Sequence, residues 1–176
     1  VIQEQRLTSM EEALRTVPGI TFSAGEGGQQ GDSPIIRGFP ARGDIFRDGI
    51  RDPGWYTRDL FSVDRVEVYK GPSAFAFGRG STGGAINSVS KLPTGATYVE
   101  GVATGTSSGG YRFELDASGK KDNVSARIGA MYQDVPTPDR NPVGAKRWGV
   151  APSVKVDFTP QTKVYFSYVY QGEESV

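Results

Sequence analysis

The sequence predicts two architectures in succession: an irregular α+β domain, then antiparallel strands of an incomplete β-barrel. Three observations predict this. Residues 1–91 carry one short helix signal, several short strand signals and long Gly-rich loops. From Tyr98 onward, apolar and polar residues alternate with unusual regularity. The 24 glycines and 11 prolines point to many turns, as β-rich folds need. The boundaries fall at 1–91 for the first domain, 92–97 for a hinge (Leu92-Pro-Thr-Gly-Ala-Thr97) and 98–176 for the strands.

In the first domain, Ser9-Met-Glu-Glu-Ala-Leu-Arg opens a helix, with Ser9 and Glu12 at capping-box spacing and Pro18-Gly19 as the stop. Ile20-Thr-Phe-Ser reads as a short strand and Ala24–Ser33 as a polar loop rich in Gly and Gln. Pro34–Phe39 reads as one strand ending in a Gly break, and Asp44–Ile50 as a strand with a turn. Trp55–Leu60 is a second loop. Between Val63 and Lys70 polar and apolar residues mix on both faces, so neither face is purely apolar.

The second region is cleaner. Tyr111, Phe113, Leu115 and Ala117 alternate with Arg112, Glu114, Asp116 and Ser118. Val124, Ala126, Ile128, Ala130 and Tyr132 form the next apolar row, then Trp148, Val150, Pro152, Val154, Val156 and Phe158, then Val164, Phe166, Tyr168 and Tyr170. With Tyr98–Ser107 in front, this gives five strands of about 9–11 residues, the length that crosses a bilayer when tilted. A soluble antiparallel sheet with one buried face shows the same period. Tyr111, Tyr132, Trp148 and Tyr170 near strand ends favour interfacial girdles. The connections also alternate: Gly119–Asn123 and Thr159–Thr162 are tight, Val135–Arg147 is long and polar. With the first strand running outward, the tight turns are periplasmic, and Ser107–Gly110 is an unusually short outer loop. Five strands cannot close, and free edges in lipid leave backbone groups unpaired at several kcal/mol each. The chain therefore reads as a piece of a longer mature protein. No apolar run is long enough for a transmembrane helix, and no signal peptide opens the chain.

Composition excludes several functions. The chain has no cysteine and no histidine, so no cysteine nucleophile, disulfide framework or histidine metal site is available. Twenty basic residues balance twenty acidic ones, which gives no field for nucleic acid. Gly78-Arg-Gly-Ser-Thr-Gly83 has the letters of a dinucleotide loop, but Ala85-Ile-Asn-Ser-Val-Ser90 after it reads as strand, not helix. Arg42-Gly-Asp44 as an adhesion tripeptide and Asn123-Val-Ser125 as a glycosylation sequon are incidental. Carboxylate pairs such as Asp44/Asp48 and Asp52/Asp59 suit turns and ion pairs better than acid–base catalysis. The expectation is that the protein is not an enzyme.

Three blocks carry a resemblance to a known family: Met10–Ile20, Ile35-Ile-Arg-Gly-Phe39 and Asp64–Lys91. The last contains Glu67-Val-Tyr-Lys-Gly-Pro72 followed by Phe77-Gly-Arg-Gly-Ser-Thr-Gly-Gly-Ala-Ile-Asn87. The chain resembles TonB-dependent outer-membrane ferric-siderophore receptors over nearly its whole length. The resemblance implies a plug, a small mixed sheet with short helices, threaded inside a 22-strand barrel, with this chain holding the plug and the first five barrel strands. It implies import of a ferric siderophore across the outer membrane of a Gram-negative bacterium. Iron is carried within the siderophore, so no cofactor is bound directly. It implies TonB, with ExbB and ExbD, as the energising partner through an N-terminal segment, although no TonB box is recognisable upstream of Ser9. Outer-membrane lipid is the remaining partner.

By the same resemblance the loops at Ala24–Ser33, Ala41–Asp44 and Trp55–Arg58 are apical and face the ligand. They put forward Gln29, Arg42, Asp44, Trp55, Tyr56 and Arg58 as ligand-binding residues. Arg suits charge neutralisation of anionic chelates, and Trp and Tyr offer flat contact area. Arg37 and Lys70 stand at the positions of basic residues that contact the barrel wall. The alternatives are a TonB-dependent receptor for another nutrient (cobalamin, haem, an oligosaccharide) and a soluble β-rich binding or adhesion module. Outward rows packed in a closed core would favour the soluble module.

Overall fold

A computed structural model describes residues 7–23, 31–71, 82–107, 109–136 and 144–175. The chain divides into two compact units, residues 1–91 and 92–176.

The first unit begins with helix α1, Met10–Leu14. Its capping box forms as the spacing predicts: Ser9 Oγ accepts from the Glu12 N–H at 3.3 Å, and Glu12 Oε2 accepts from the Ser9 N–H at 3.2 Å. Strands β1 (Ile20–Phe22), β2 (Pro34–Ile36) and β3 (Phe39–Pro40) form one antiparallel sheet. The expected single strand over Pro34–Phe39 is instead a tight hairpin. Arg37 and Gly38 both take positive φ, 51° and 84°, which turns the chain in two residues. Asp48-Gly49 repeats the device, with φ of 51° and 79°, between β4 (Ile45–Arg47) and β5 (Ile50–Arg51). A 3-10 turn, Arg42–Asp44, leads into β4.

Strands β6 (Val63–Lys70) and β7 (Gly84–Ser90) complete a second sheet of order β5-β4-β7-β6. Strand β7 pairs parallel with β4 and antiparallel with β6, so the sheet is mixed. Gly84 lets the two strands approach: a Cβ there would sit 2.1 Å from the Tyr69 carbonyl oxygen. The buried core is Met10, Leu14, Ile20, Ile36, Ala41, Ile45 and Ile86, with Val66 and Val68 of β6 packed on it. That packing explains the mixed pattern of β6, whose Arg65, Glu67 and Tyr69 lie on the other face.

The second unit is one antiparallel sheet. Strands β8 (Tyr98–Gly105), β9 (Tyr111–Lys121), β10 (Val124–Pro136) and β11 (Gly144–Asp157) pair in sequence order. The expected fifth strand is divided into β12 (Lys163–Ser167) and β13 (Tyr170–Ser175), both paired with β11. The register is the same on both sides of the gap, Ser153↔Ser167 and Val150↔Tyr170. The gap lies opposite Pro152. Its carbonyl accepts the Tyr168 N–H at 3.0 Å, but proline has no N–H to return.

The polarity of this sheet is inverted relative to a soluble one. The rows Tyr111/Phe113/Leu115, Val124/Ile128/Tyr132 and Trp148/Val150 are exposed, as are Phe166 and Tyr168. The alternate rows, Arg112, Ser118, Ser125, Gln133, Ser153 and Lys155, are buried. Ion pairs fill that polar face. Arg127 holds Asp116 with two bonds, 2.9 and 2.7 Å, and Arg112 donates to Gln133 at 2.8 Å. Lys155 lies 3.2 Å from Asp157. Each large apolar side chain on the outer row forgoes roughly 1.5–3 kcal/mol of burial, a pattern water does not favour. Phe113, Tyr132 and Trp148 are cross-strand partners and form an aromatic row, with the Trp148 indole lying over Gly172. From Tyr132 to Val124 the strand rises roughly 27 Å, or about 21 Å vertically at a tilt of about 40°, close to an outer-membrane apolar band of about 25 Å.

The expectation that these strands span a membrane makes a specific demand at Ile128, where Ile128→Arg would put a charge in hydrocarbon. In the full-length protein in phospholipid vesicles, urea titration is expected to show a loss of about 2–4 kcal/mol. A change within about 0.5 kcal/mol is what a water-facing position gives.

Candidate functional site

The candidate ligand platform is built from two segments of the first unit, the 3-10 turn after β3 and the loop between β5 and β6. The turn carries Arg42, the loop carries Trp55. The Arg42 guanidinium lies over the Trp55 ring, 3.8 Å from its centroid, and Trp55 is 71% exposed. A cation on one face of an exposed indole is a surface suited to flat, negatively charged molecules.

The loop that presents Trp55 is held from beneath by Arg58. Only 5% of Arg58 is exposed, and its five N–H donors make five bonds. Nε donates to Asp52 Oδ2 at 2.9 Å, Nη1 to Asp32 Oδ2 at 3.3 Å and to the Tyr56 carbonyl at 3.4 Å. Nη2 donates to the carbonyls of Asp52 and Gly54, both at 2.9 Å. Tyr56 closes the cluster, donating its hydroxyl to Asp52 Oδ2 at 2.6 Å, with the Arg58 guanidinium 4.5 Å from its ring centroid. The backbone ties the cluster to α1, since Met10 N–H donates to the Arg58 carbonyl at 2.9 Å and Leu60 N–H to the Thr8 carbonyl at 3.0 Å.

The electrostatics follow from this burial. Burial pushes the Asp32 carboxyl up, against the hydrogen bonds and charge of Arg58. Asp52 feels burial too, but the bonds from Tyr56 and Arg58 outweigh it and hold its carboxyl below the ordinary value of 3.8. The Tyr56 phenol is raised to about 12, by burial first and then by its bond to Asp52. Asp44 is buried beside Arg51 at 3.6 Å, and burial raises its carboxyl.

The structure thus separates the residues the sequence put forward. Arg42 and Trp55 come together at the surface. Tyr56 and Arg58 lie beneath them in the loop's support, and the Arg58 cation is committed to that support. Asp44 faces Arg51 at the side. Gln29 lies outside the described residues. Arg37 and Lys70 are both exposed, and Arg37 reaches the residue after Lys70: a Cβ on Gly71 would sit 3.8 Å from its Nη1.

Asp52, one of the carboxylates suited to turns and ion pairs, makes both here, and Asp32 and Gly31 are two further residues of the support that carry no sign in the sequence. Asp52 precedes Pro53-Gly54 and caps the Gly54 N–H at 3.3 Å, a turn signal that marks the loop but not its role. Asp32 is 26 residues from Arg58 and gave no local sign. Gly31 has φ of 83°, and a Cβ would meet the Tyr56 nitrogen at 2.5 Å, so only glycine lets the two segments touch.

Residues 1–85 match the TonB-dependent Receptor Plug Domain. A probable TonB-dependent siderophore receptor of Acinetobacter baumannii, PiuA, is 39% identical over 97% of this chain and 23% of its own length. The catecholate siderophore receptor Fiu of Escherichia coli K12 is 36% identical over 97% of this chain and 23% of its own. The crystal structure of Fiu in its closed form superposes with a TM-score of 0.93 at 34% identity, covering 99% of this chain and 25% of that one. The pyoverdine receptor FpvA of Pseudomonas aeruginosa, bound to pyoverdine, gives a TM-score of 0.85 at 30% identity, covering 94% of this chain and 25% of that one. The chain belongs to the TonB-dependent receptors and carries a plug domain followed by barrel strands. It spans about a quarter of the length of the relatives it matches.

Two outcomes test the platform's construction. Gly31→Ala in the full-length receptor is expected to lose about 1–3 kcal/mol of stability from strain and displacement of the Trp55–Tyr56 backbone, measured by denaturant titration. The second concerns pH. Because Asp52 is depressed in the folded state, its contribution is present above the unfolded value and is lost as pH falls through the folded one. Asp52→Asn is expected to flatten the acid limb of stability against pH below about 4; an unchanged limb contradicts the assignment.

Proposed function

We propose that the full-length protein is an outer-membrane receptor of a Gram-negative bacterium that binds a ferric siderophore and imports it to the periplasm in a TonB-dependent way. The observation that carries this is the joining of two things in one chain: a plug domain bearing an aromatic–cationic platform, and strands whose apolar rows face outward while ion pairs line the other face. The first captures a flat anionic cargo. The second belongs in hydrocarbon around a polar interior.

The platform's chemistry suits ferric chelates, which are large, often aromatic and often anionic. Trp55 offers contact area at little entropic cost, and Arg42 offers charge that lies on the same ring. Relatives whose names specify siderophores support this cargo over cobalamin, haem or an oligosaccharide. Iron travels inside the chelator, so the protein needs no resident cofactor. The soluble-module reading requires the rows of β9 and β10 to be packed in a closed core, and they are exposed. The energising partner is TonB with ExbB and ExbD, reached through an N-terminal segment of the full-length protein.

Transport assays in an iron-starved host test the proposal. Cells expressing the full-length receptor are expected to accumulate iron-55 from at least one ferric chelate in a panel of catecholates, hydroxamates and pyoverdines. Deletion of TonB is expected to abolish that uptake. Uptake of cobalamin or haem in place of every ferric chelate would replace the cargo assigned here.

A further inference from the structure

We propose that Arg58 is a positioning residue for ligand capture: its buried guanidinium clamps the 52–58 loop in the shape that presents the Trp55 indole, with Arg42 laid on it, to a ferric chelate. The inference rests on the siderophore reading above and goes beyond it, since it assigns a role to a residue that does not face the ligand.

The geometry separates this role from direct binding. A cation that meets an anionic ligand needs donors to spare, and the five donors of Arg58 all have acceptors within its own unit. Those acceptors are distributed in a telling way. Asp52 opens the loop and gives both a carboxylate and a carbonyl oxygen. Gly54 and Tyr56, the two neighbours of Trp55 in sequence, each give a carbonyl. Asp32 comes from the separate 31–33 segment, where the Asp32 N–H also donates to the Tyr56 carbonyl at 3.2 Å. The backbone is therefore pinned on both sides of Trp55, and the indole itself is left 71% exposed.

An ordinary buried ion pair needs one carboxylate. This one spans two carboxylates and three carbonyls, which only a planar fork with five donors can do. A lysine at 58 has three donors on one nitrogen and cannot reach acceptors on opposite sides. Gly31 forms the opposing wall, in contact range of the Trp55 and Tyr56 backbone, so a released loop would have to move away from it. The Arg58 carbonyl also receives the Met10 N–H, which fixes the loop's end to α1.

The test is a double-mutant cycle on the full-length receptor. The probes are iron(III) tris(2,3-dihydroxybenzoate), a ferric hydroxamate and ferripyoverdine, titrated by calorimetry, with whichever the wild type binds carried forward. Arg58→Lys is expected to weaken binding ten-fold or more. In a Trp55→Ala background the same change is expected to alter Kd less than two-fold, because the clamp then has nothing to present. No loss for Arg58→Lys alone, or an undiminished loss in the Trp55→Ala background, overturns the proposal. Asp32→Asn removes one acceptor charge while keeping side-chain shape. It serves in place of Arg58→Lys where that variant does not fold, with the same two expectations. Hydrogen exchange of the ligand-free receptor gives an independent readout. Amides 52–58 are expected to exchange at least ten-fold faster in the variant while those of Ile45–Arg47 keep their rates. Equal rates at 52–58 overturn the clamp. If the wild type binds none of the probes, the cargo reading fails, and the exchange experiment still decides the clamp.

Discussion

Every backbone N–H and C=O taken from water must find a partner, and both halves of this chain are organised by that requirement. The strands of the second unit meet it by pairing along thirteen register positions between β10 and β11 and eleven between β9 and β10. Where a partner is chemically missing, the ladder stops. Pro152 cannot donate, and the outermost strand is divided opposite it while its register continues. The irregular loop of the first unit has no ladder to use. There, one side chain does the same task, and Arg58 takes three loop carbonyls as well as two carboxylates.

The same requirement explains why polarity can be inverted in the sheet without harming the fold. Once the backbone is saturated by neighbours, side chains are free to match their surroundings on each face. Apolar rows outward and the Arg127–Asp116 and Lys155–Asp157 pairs on the other face make sense around a polar interior. In a soluble sheet that arrangement would leave apolar area in water and charges out of it, losing on both. The aromatic row of Phe113, Tyr132 and Trp148 falls at the end nearest the long connection, where a wet boundary would lie.

Much of this was legible in the sequence because it depends on short-range periods. Strand identity in β8–β11 follows from alternation, and the α1 cap from Ser9 and Glu12. The class was legible because Glu67–Pro72 and Phe77–Asn87 stand in fixed order; in the structure Gly84 shows one reason, a backbone approach that admits no side chain. Other features needed three dimensions. The hairpin at Arg37-Gly38 is hidden from local pattern because arginine seldom adopts positive φ, and only the Gly break after it hints at the turn. The platform was half legible. Trp55 and Arg42 stood out by chemistry, but that they meet, and that Arg58 turns inward to Asp32, depends on contacts across many residues that no local pattern encodes.

The proposed receptor function requires the outer rows of the sheet to face lipid. Spin labels placed one at a time from 124 to 132 in the full-length receptor, reconstituted in phospholipid, measure this directly. Labels at 124, 126, 128, 130 and 132 are expected to collide readily with dissolved oxygen and poorly with a water-soluble nickel chelate, while those at the intervening positions collide poorly with oxygen. High nickel accessibility at 126 to 130, or no alternation along β10, would contradict the proposed function.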